Sequence, residues 1–254
     1  MGLLRFVPSP PSSASSLSYF GRDISAIRDE CVIEIARTPE QIHAAHLLRH
    51  QVYCIERGYE RGYSLGGEQI EIDEFDTHSH HAILTNRRSG EVVGTVRLVV
   101  ADPARPDHSF PMQQVCPPLH PYVPISTSAE VSRFAISKQR RGALPLMRLS
   151  LMRGMAKLSM ELGLTHWCAT MEPALLRLLQ ATGIHFRAIG GLVEHHGLRQ
   201  PCYNTIDEIA RGVEAQSPEL YDFFTDNGRI CPPRSHGEER ESLSVAQPRA
   251  RRAA

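Results

Sequence analysis

No run of apolar residues in this chain is long enough to cross a bilayer. The N-terminal stretch MGLLRFVPSPPSSASS breaks into prolines and serines before the core of a signal peptide could form, and Phe6 stands where a myristoylation signal needs Ser or Thr. Charge of one sign is not in excess either. Lys plus Arg and Asp plus Glu each number 28, so there is no global pull towards nucleic acid or an anionic membrane, and an acidic partner must be met by a local patch. The six cysteines (Cys31, Cys54, Cys116, Cys168, Cys202 and Cys231) form no C-x-x-C pair, which removes the zinc-ribbon and thioredoxin-like readings and leaves reduced, buried thiols. Tryptophan occurs once, as Trp167 in an apolar strand, a core position. No internal repeat is visible. A cytoplasmic protein with no integral membrane segment and no nucleic-acid partner is expected.

What is present fits one packed domain in 254 residues, with 41% of them hydrophobic. Residues 1–28 are rich in Ser and Pro without sustained periodicity and read as a disordered arm, and 232–254 read as a disordered tail. The domain is expected at 29–231. Within it CVIEIA reads as a strand; Thr38, Pro39 and Gln41 then supply an N-cap, a first-turn proline and a capping-box partner for a helix to about Arg57. HHAILTNRRSGEVVGTVRLVV reads as a hairpin turning near Ser89 and Gly90, and a proline-rich loop from Asp102 to Ser128 leads to the strand AEVSRFAIS. Pro145 opens a helix with Met147, Leu151, Met155, Leu158 and Leu162 at helical spacing. A strand (THWCATM), a helix from Pro173 closed by Gly183, and strands around IHFRAIG and CYNTI complete the pattern. The sum is an α/β or α+β domain, a mixed central sheet flanked by helices.

Charge sits where it is expensive. Helical phasing puts Arg49 in the stripe of Ile42, Ala45, Val52 and Tyr53, so it points inward and needs carboxylates. The segment EIDEFD offers Glu71, Asp73 and Asp76; the alternative is a surface acidic run. In EVVGTVRLVV the even positions make one apolar face and Arg97 projects from the other, where it is either solvated or part of a pocket. In AEVSRFAIS, strict alternation puts Glu130 and Ser132 on one face with Phe134 and Ile136, and Val131 on the other with Arg133. A bulge near Ser132 and Arg133 reconciles that pattern and would free backbone N–H groups for a ligand; an edge strand with mixed faces is the alternative.

Downstream, Lys138, Arg140, Arg141 and Gly142 precede the Pro145 helix, a placement that suits a phosphate or is simply a solvated turn. His78, His80 and His81 have no carboxylate or cysteine at metal spacing and read as a polar turn entering a strand, and His195 with His196 read the same way. No metal site is expected.

Strand, bulge, basic turn and helix together resemble the acyl-CoA N-acyltransferase (GNAT) fold. Arg49 with Tyr53 and Tyr59, then E-x-D-x-x-D, the arginine of GTVRL and E-V-S-R resemble the signature of the autoinducer synthases, which make acyl-homoserine lactones. The later segments LGLTHWCATMEPALLRLLQATGIHF and VEHHGLRQPCY are more similar to PEP-CTERM/exosortase-associated acyltransferases, akin to N-acyl amino acid synthases. Tyr59 stands where the lactone synthases tend to have tryptophan. The pyrophosphate loop of CoA-using relatives, Q/R-x-x-G-x-G/A, is present only as Gln139 and Gly142, with Leu144 in the last place.

The resemblance implies an N-acyltransferase moving a long-chain fatty acyl group from an acyl carrier protein thioester to the amino group of an amino acid or similar small amine. It implies no tightly bound cofactor, with acyl carrier protein or acyl-CoA as co-substrate donor. Glu130 would be the base and the Ser132–Arg133 bulge the oxyanion donor. Arg49, Glu71, Asp73, Asp76 and Arg97 would wall the acceptor side, and Lys138, Arg140, Arg141 and Gly142 would meet the donor phosphate and the carrier surface. The alternatives are a lactone synthase using S-adenosylmethionine and a non-catalytic acyl-binding protein on the same fold.

Overall fold

The computed structural model describes residues 24–230 except 117, 120 and 139–143. The expected arm up to residue 23, the tail from 232, and Arg140, Arg141 and Gly142 of the basic turn lie outside the described residues. Residues 24–30 form a helix, α1, whose Ile24 and Ile27 are buried in the main core. Packed chain therefore begins before residue 29, because two isoleucines three apart make one apolar face even without a longer repeat.

Strand β1 (Cys31–Ala36) leads to helix α2 (Pro39–Arg49) through the expected capping box: Gln41 donates its N–H to Thr38 Oγ1 at 3.3 Å, and the Thr38 N–H donates to Gln41 Oε1 at 3.2 Å. The helix does not stay α-helical to Arg57. From His50 to Glu56 it widens into a π-helix, closed by the Arg57 N–H on the Val52 carbonyl at 3.2 Å. Such i→i+5 segments are rare and cluster at functional sites, and this one carries Tyr53.

A small hairpin, β2 (Tyr63–Leu65) with β3 (Glu68–Ile70), precedes the expected long one, β4 (Ser79–Asn86) with β5 (Val92–Val100). In the turn of the latter, Asn86 Oδ1 accepts the N–H groups of Arg88 and Ser89, each at 3.0 Å. There follow β6 (Ser128–Ile136), α3 (Leu144–Glu161), β7 (His166–Met171), α4 (Pro173–Gln180), β8 (Arg187–Ala188), β9 (Val193–Glu194), β10 (Leu198–Thr205), α5 (Ile206–Gln216) and α6 (Pro218–Thr225). Periodicity missed β2, β3, β9, α5 and α6, and the strand expected around IHFRAIG is only two residues long.

The main sheet runs β1-β4-β5-β6-β7-β10-β8, with β9 on β10. Every pairing is antiparallel except β6 with β7. Cross-strand partners share a face, so register assigns the two sides. One side holds Ala82, Leu84, Val96, Leu98, Val131 and Trp167, which join the largest core with Met152 and Met155 of α3. A Cβ on Gly154 would lie 2.7 Å from the Ala82 Cβ, so glycine is what lets α3 lie this close to β4. The other side holds His81, Arg97, Val99, Glu130 and Ser132, under α2 and the loop from Asp102.

Two irregularities shape that second side. Arg97 faces Ser132 but Thr95 faces Ala135, so Val96 opposes two residues, Arg133 and Phe134, and β6 bulges there. The parity change seen in AEVSRFAIS is this bulge. The parallel pairing of β6 with β7 ends after Ser128–His166, Ala129–Trp167 and Glu130–Cys168. Beyond Glu130 the strands part, and a cavity of ≈ 400 Å³ lies between them.

Candidate active site

The charged residues singled out in the sequence converge from four elements. Arg49 is fully buried at the end of α2, donating its Nε to Glu71 Oε2 at 2.5 Å and both terminal nitrogens to Asp76 at 2.6 and 2.9 Å. Arg97 on β5, equally buried, grips Asp73 through two bonds of 2.6 and 3.0 Å, approaches Asp76 Oδ2 at 3.1 Å, and donates Nε to Ser132 Oγ at 3.0 Å. Arg133 reaches Glu71, Asp73 and Glu60 at 3.0, 2.9 and 3.0 Å. The acidic segment is therefore the counter-charge of three arginines and not a surface run: Glu71 is 1% exposed. The segment also braces itself, since the Phe75 N–H donates to Asp73 Oδ1 at 2.9 Å and the Asp73 N–H to Asp76 Oδ2 at 2.8 Å.

The bulge makes this convergence possible. Arg133 takes a φ of +48°, a region uncommon for residues other than glycine, and the chain there sends the side chains of two consecutive residues, Ser132 and Arg133, into one network. Tyr53, from the π-helical segment, donates its hydroxyl to the Phe134 carbonyl at 3.2 Å and lies with its ring 5.5 Å from the Arg133 guanidinium. The strained turn of the strand is thus held from above.

Electrostatics separates the carboxylates into two kinds. Burial opposes ionisation of Asp76, but the neighbouring His46 and His81 imidazoles, with the hydrogen bonds and charge of Arg49, outweigh it and hold the carboxyl far below its ordinary range. At Asp73 burial is likewise outweighed, by hydrogen bonding and charge from Arg97 and then the charge of Arg133, and its pKa is lowered. Glu130 goes the other way. It is 3% exposed, burial pushes its carboxyl up to about 7, and the Met112 N–H on Oε2 at 2.8 Å with the charges of Arg97 and Arg133 opposes that only in part. A carboxyl of that pKa on a cavity wall can take up a proton and release it near neutrality.

Glu130, Ser132 and Arg133 line the cavity, together with Thr170, whose buried Oγ1 has no hydrogen-bond partner among the described residues. Ile136, Ala174, Leu175 and Leu178 line it too, with Arg148, an arginine whose pKa is lowered by burial alone and that has no ion-pair partner among the described residues. The wall also carries a polar group: Arg57, Tyr59, Glu60, Glu172, His195, His196 and Arg199. These last residues, Tyr59 apart, carry no signal in local periodicity, and they meet only because the end of the π-helical segment, the β9–β10 hairpin and the start of α4 come together.

His195 and His196 sit in the turn between β9 and β10, as expected, and that turn makes contacts of its own. His196 stacks on Tyr59 with ring centroids 5.5 Å apart and lies 3.3 Å from Glu60 Oε1, while burial lowers the pKa of His195. The H-x-H-H segment is corrected. His81 Nε2 lies 3.5 Å from Asp76 Oδ1, and His46 Nε2 lies 3.8 Å from the same oxygen, so a carboxylate and a second imidazole join it from elements distant in sequence. A cation held by these three would sit beside the Arg49 guanidinium already bonded to both Asp76 oxygens, a repulsive placement for a metal ion. Burial, only partly offset by Asp76, drives the His81 pKa down to about 4, so its ring is neutral near pH 7. Of the basic turn, Lys138 is half exposed and 3.9 Å from Glu56 Oε2, away from the network.

A family model described as Acetyltransferase (GNAT) domain matches residues 48–150. No curated protein matches the chain in sequence. Among solved structures, the AHL synthase LasI is similar with a TM-score of 0.56 and 19% identity, over 73% of this chain and 95% of that one. BjaI, a CoA-dependent acyl-homoserine lactone synthase solved with SAM and isopentyl-CoA, gives 0.57 and 20%, over 79% and 89%. FeeM, an N-acyl amino acid synthase from uncultured soil microbes, gives 0.54 and 17%, over 73% and 96%. The chain is a single GNAT-type α/β domain with a mixed central sheet flanked by helices. Among the described residues no helix is long and apolar enough to cross a membrane.

Proposed function

We propose that the protein is an N-acyltransferase that moves a long-chain fatty acyl group from a pantetheine thioester to the amino group of an amino acid or similar small amine. The observation that carries this reading is Glu130, a buried carboxyl poised near pH 7 on the wall of the cavity where β6 bulges and parts from β7. A protonated amine cannot attack a carbonyl, so Glu130 accepts its proton directly or through water. The freed nitrogen attacks the thioester carbon, a C–N bond forms, and the oxyanion is met by backbone N–H groups at the Ser132–Arg133 bulge. Collapse breaks the C–S bond; the departing sulfur takes a proton, leaving an amide and a free thiol. Arg49, Glu71, Asp73, Asp76 and Arg97 act as the rigid charged wall that orders the acceptor side.

The donor is proposed to be an acyl carrier protein. A complete pyrophosphate loop is missing from the sequence, and a single pantetheine phosphate with an acidic carrier surface asks less of the basic segment with Lys138, Arg140, Arg141 and Gly142. The segments resembling the exosortase-associated acyltransferases supply His195, His196 and Arg199 to the cavity wall, which favours an N-acyl amino acid product over a lactone. Extraction of lipids from an expressing host tests the proposal. An N-acyl amino acid is expected; N-acyl-homoserine lactone would transfer the reading to the lactone synthases, and neither product would leave an acyl-binding protein.

A further inference from the structure

The polar wall of the cavity contains an ion cluster that the proposed chemistry does not use. Glu172 Oε1 accepts Arg57 Nη1 at 2.6 Å and is ion-paired with Arg199 Nη1 at 2.7 Å, so two guanidiniums share one carboxylate oxygen and the cluster keeps a surplus positive charge. Arg199 is 8% exposed and cannot swing away: its Nε is held by the His195 carbonyl at 3.1 Å and its Nη2 by the His196 carbonyl at 2.9 Å. The Tyr59 ring lies 5.5 Å from the Arg57 guanidinium and 5.6 Å from that of Arg199, and its other neighbour is the stacked His196 ring. The Arg57 side chain, and after it that of Arg199, lowers the pKa of the Tyr59 hydroxyl beside them. Each guanidinium has five N–H donors. Arg199 gives two to the carbonyls and turns Nη1 towards Glu172, and Arg57 gives one to Glu172, so donors remain on both for a further acceptor.

The third arginine of this region, Arg133, differs. Its contacts to Glu60, Glu71 and Asp73 give it more negative charge than it carries. A second anion entering the polar part of the cavity would therefore meet repulsion at Arg133 and attraction at Arg57 and Arg199.

We propose that Arg57 and Arg199 are the receptor for the free carboxylate of the acceptor, which makes the acceptor an amino acid captured by its carboxylate and acylated on its amine. This rests on the acyl-transfer reading above and adds the group that selects the substrate. Guanidinium pairs recognise carboxylates through paired, charge-assisted hydrogen bonds, and here both are preset by the protein and need no reordering on binding. The arrangement also bears on the product. Lactone formation from a sulfonium acceptor needs a carboxylate oxygen as nucleophile, forming C–O as C–S breaks; an oxygen clamped by two cations is a poor nucleophile for that step, so the reaction ends at the amide.

The test compares glycine, leucine and tyrosine with methylamine, isoamylamine and tyramine, using a lauroyl-phosphopantetheine donor. The wild type is expected to favour each amino acid over its decarboxylated partner. R57A, on a side chain 37% exposed, is expected to raise KM for the amino acids about tenfold to a hundredfold with a smaller effect on kcat, narrowing the preference, and R57K to restore part of it. R199A should narrow it in the same direction, with circular dichroism checking that the buried site still folds. Equal use of acids and amines by the wild type, or equal losses on both classes in R57A, would overturn the clamp while leaving acyl transfer intact. If the wild type acylates none of the six, the acyl-transfer reading fails; calorimetric binding of the same probes then decides the clamp, supported by binding of acids alone that R57A abolishes and overturned by any other pattern.

Discussion

Arg97 donates its Nε to Ser132 Oγ at 3.0 Å across the β5–β6 ladder, one residue before β6 bulges. That bond joins the buried charge network to the strand carrying Glu130. It means that substitutions in the network reach the strand of Glu130 through the backbone as well as through the cavity wall.

Glu130→Gln is expected to fold and to lower turnover by two or more orders of magnitude, about the size of a general-base contribution. In the wild type, kcat/KM should rise with pH to a plateau above about 7, following ionisation of Glu130. A pH–rate profile of the variant that kept the wild-type limb would move the base to another group.

The same residue gives a stability prediction of defined sign. The folded pKa of Glu130 lies above its unfolded value, so the folded state binds that proton more tightly, and its contribution to stability is present at low pH and lost as pH rises through about 7. The shift corresponds to about 3 kcal/mol at most. Glu130→Gln should therefore be more stable than wild type at pH 8.5 and not at pH 5 in paired urea titrations. Asp73 and Asp76, whose pKa values are lowered, contribute with the opposite sign, and their share is lost as pH falls through the acid range.

Arg49→Ala strands Glu71 and Asp76 in a site with almost no exposure and is expected to cost about 3–5 kcal/mol, with loss of activity. Arg49→Lys keeps the charge but cannot reproduce the two-pronged contact with Asp76 and should recover only part. Thermal denaturation of both variants is the measurement; an unchanged midpoint in Arg49→Ala contradicts the buried network.

Tyr53→Phe removes the hydroxyl that satisfies the Phe134 carbonyl in the bulge. A loss of about 1 kcal/mol is expected in urea unfolding, with a fall in kcat if the bulge geometry serves the oxyanion. A variant indistinguishable from wild type in both would show that the bulge holds its shape without Tyr53.

Arg148 lines the cavity with no ion-pair partner among the described residues, which suits the phosphate of the proposed donor. Arg148→Ala should raise KM about tenfold for acyl-phosphopantetheine and leave KM for acyl-pantetheine, which lacks the phosphate, nearly unmoved. Equal effects on the two donors in steady-state kinetics would assign Arg148 to packing.

Several features were written into short stretches of sequence because their physics is local. The Thr38–Gln41 capping box, the inward phase of Arg49, the β4–β5 turn and the parity change across Ser132 and Arg133 all follow from backbone periodicity and side-chain chemistry within a few residues. What the tertiary structure decided was which charges meet and how dry they are. Arg97 might have been solvated until β6 placed Ser132 beside it and the EIDEFD segment crossed over it; Glu130 owes its raised pKa to burial under the Met112 loop, 18 residues away. The Arg57–Glu172–Arg199 cluster and the approach of His46 and Asp76 to His81 join residues from separate elements, and no local pattern reports such meetings. Periodicity records which way a side chain points; burial and pairing across strands, set only when the chain closes on itself, decide its charge state and its partner.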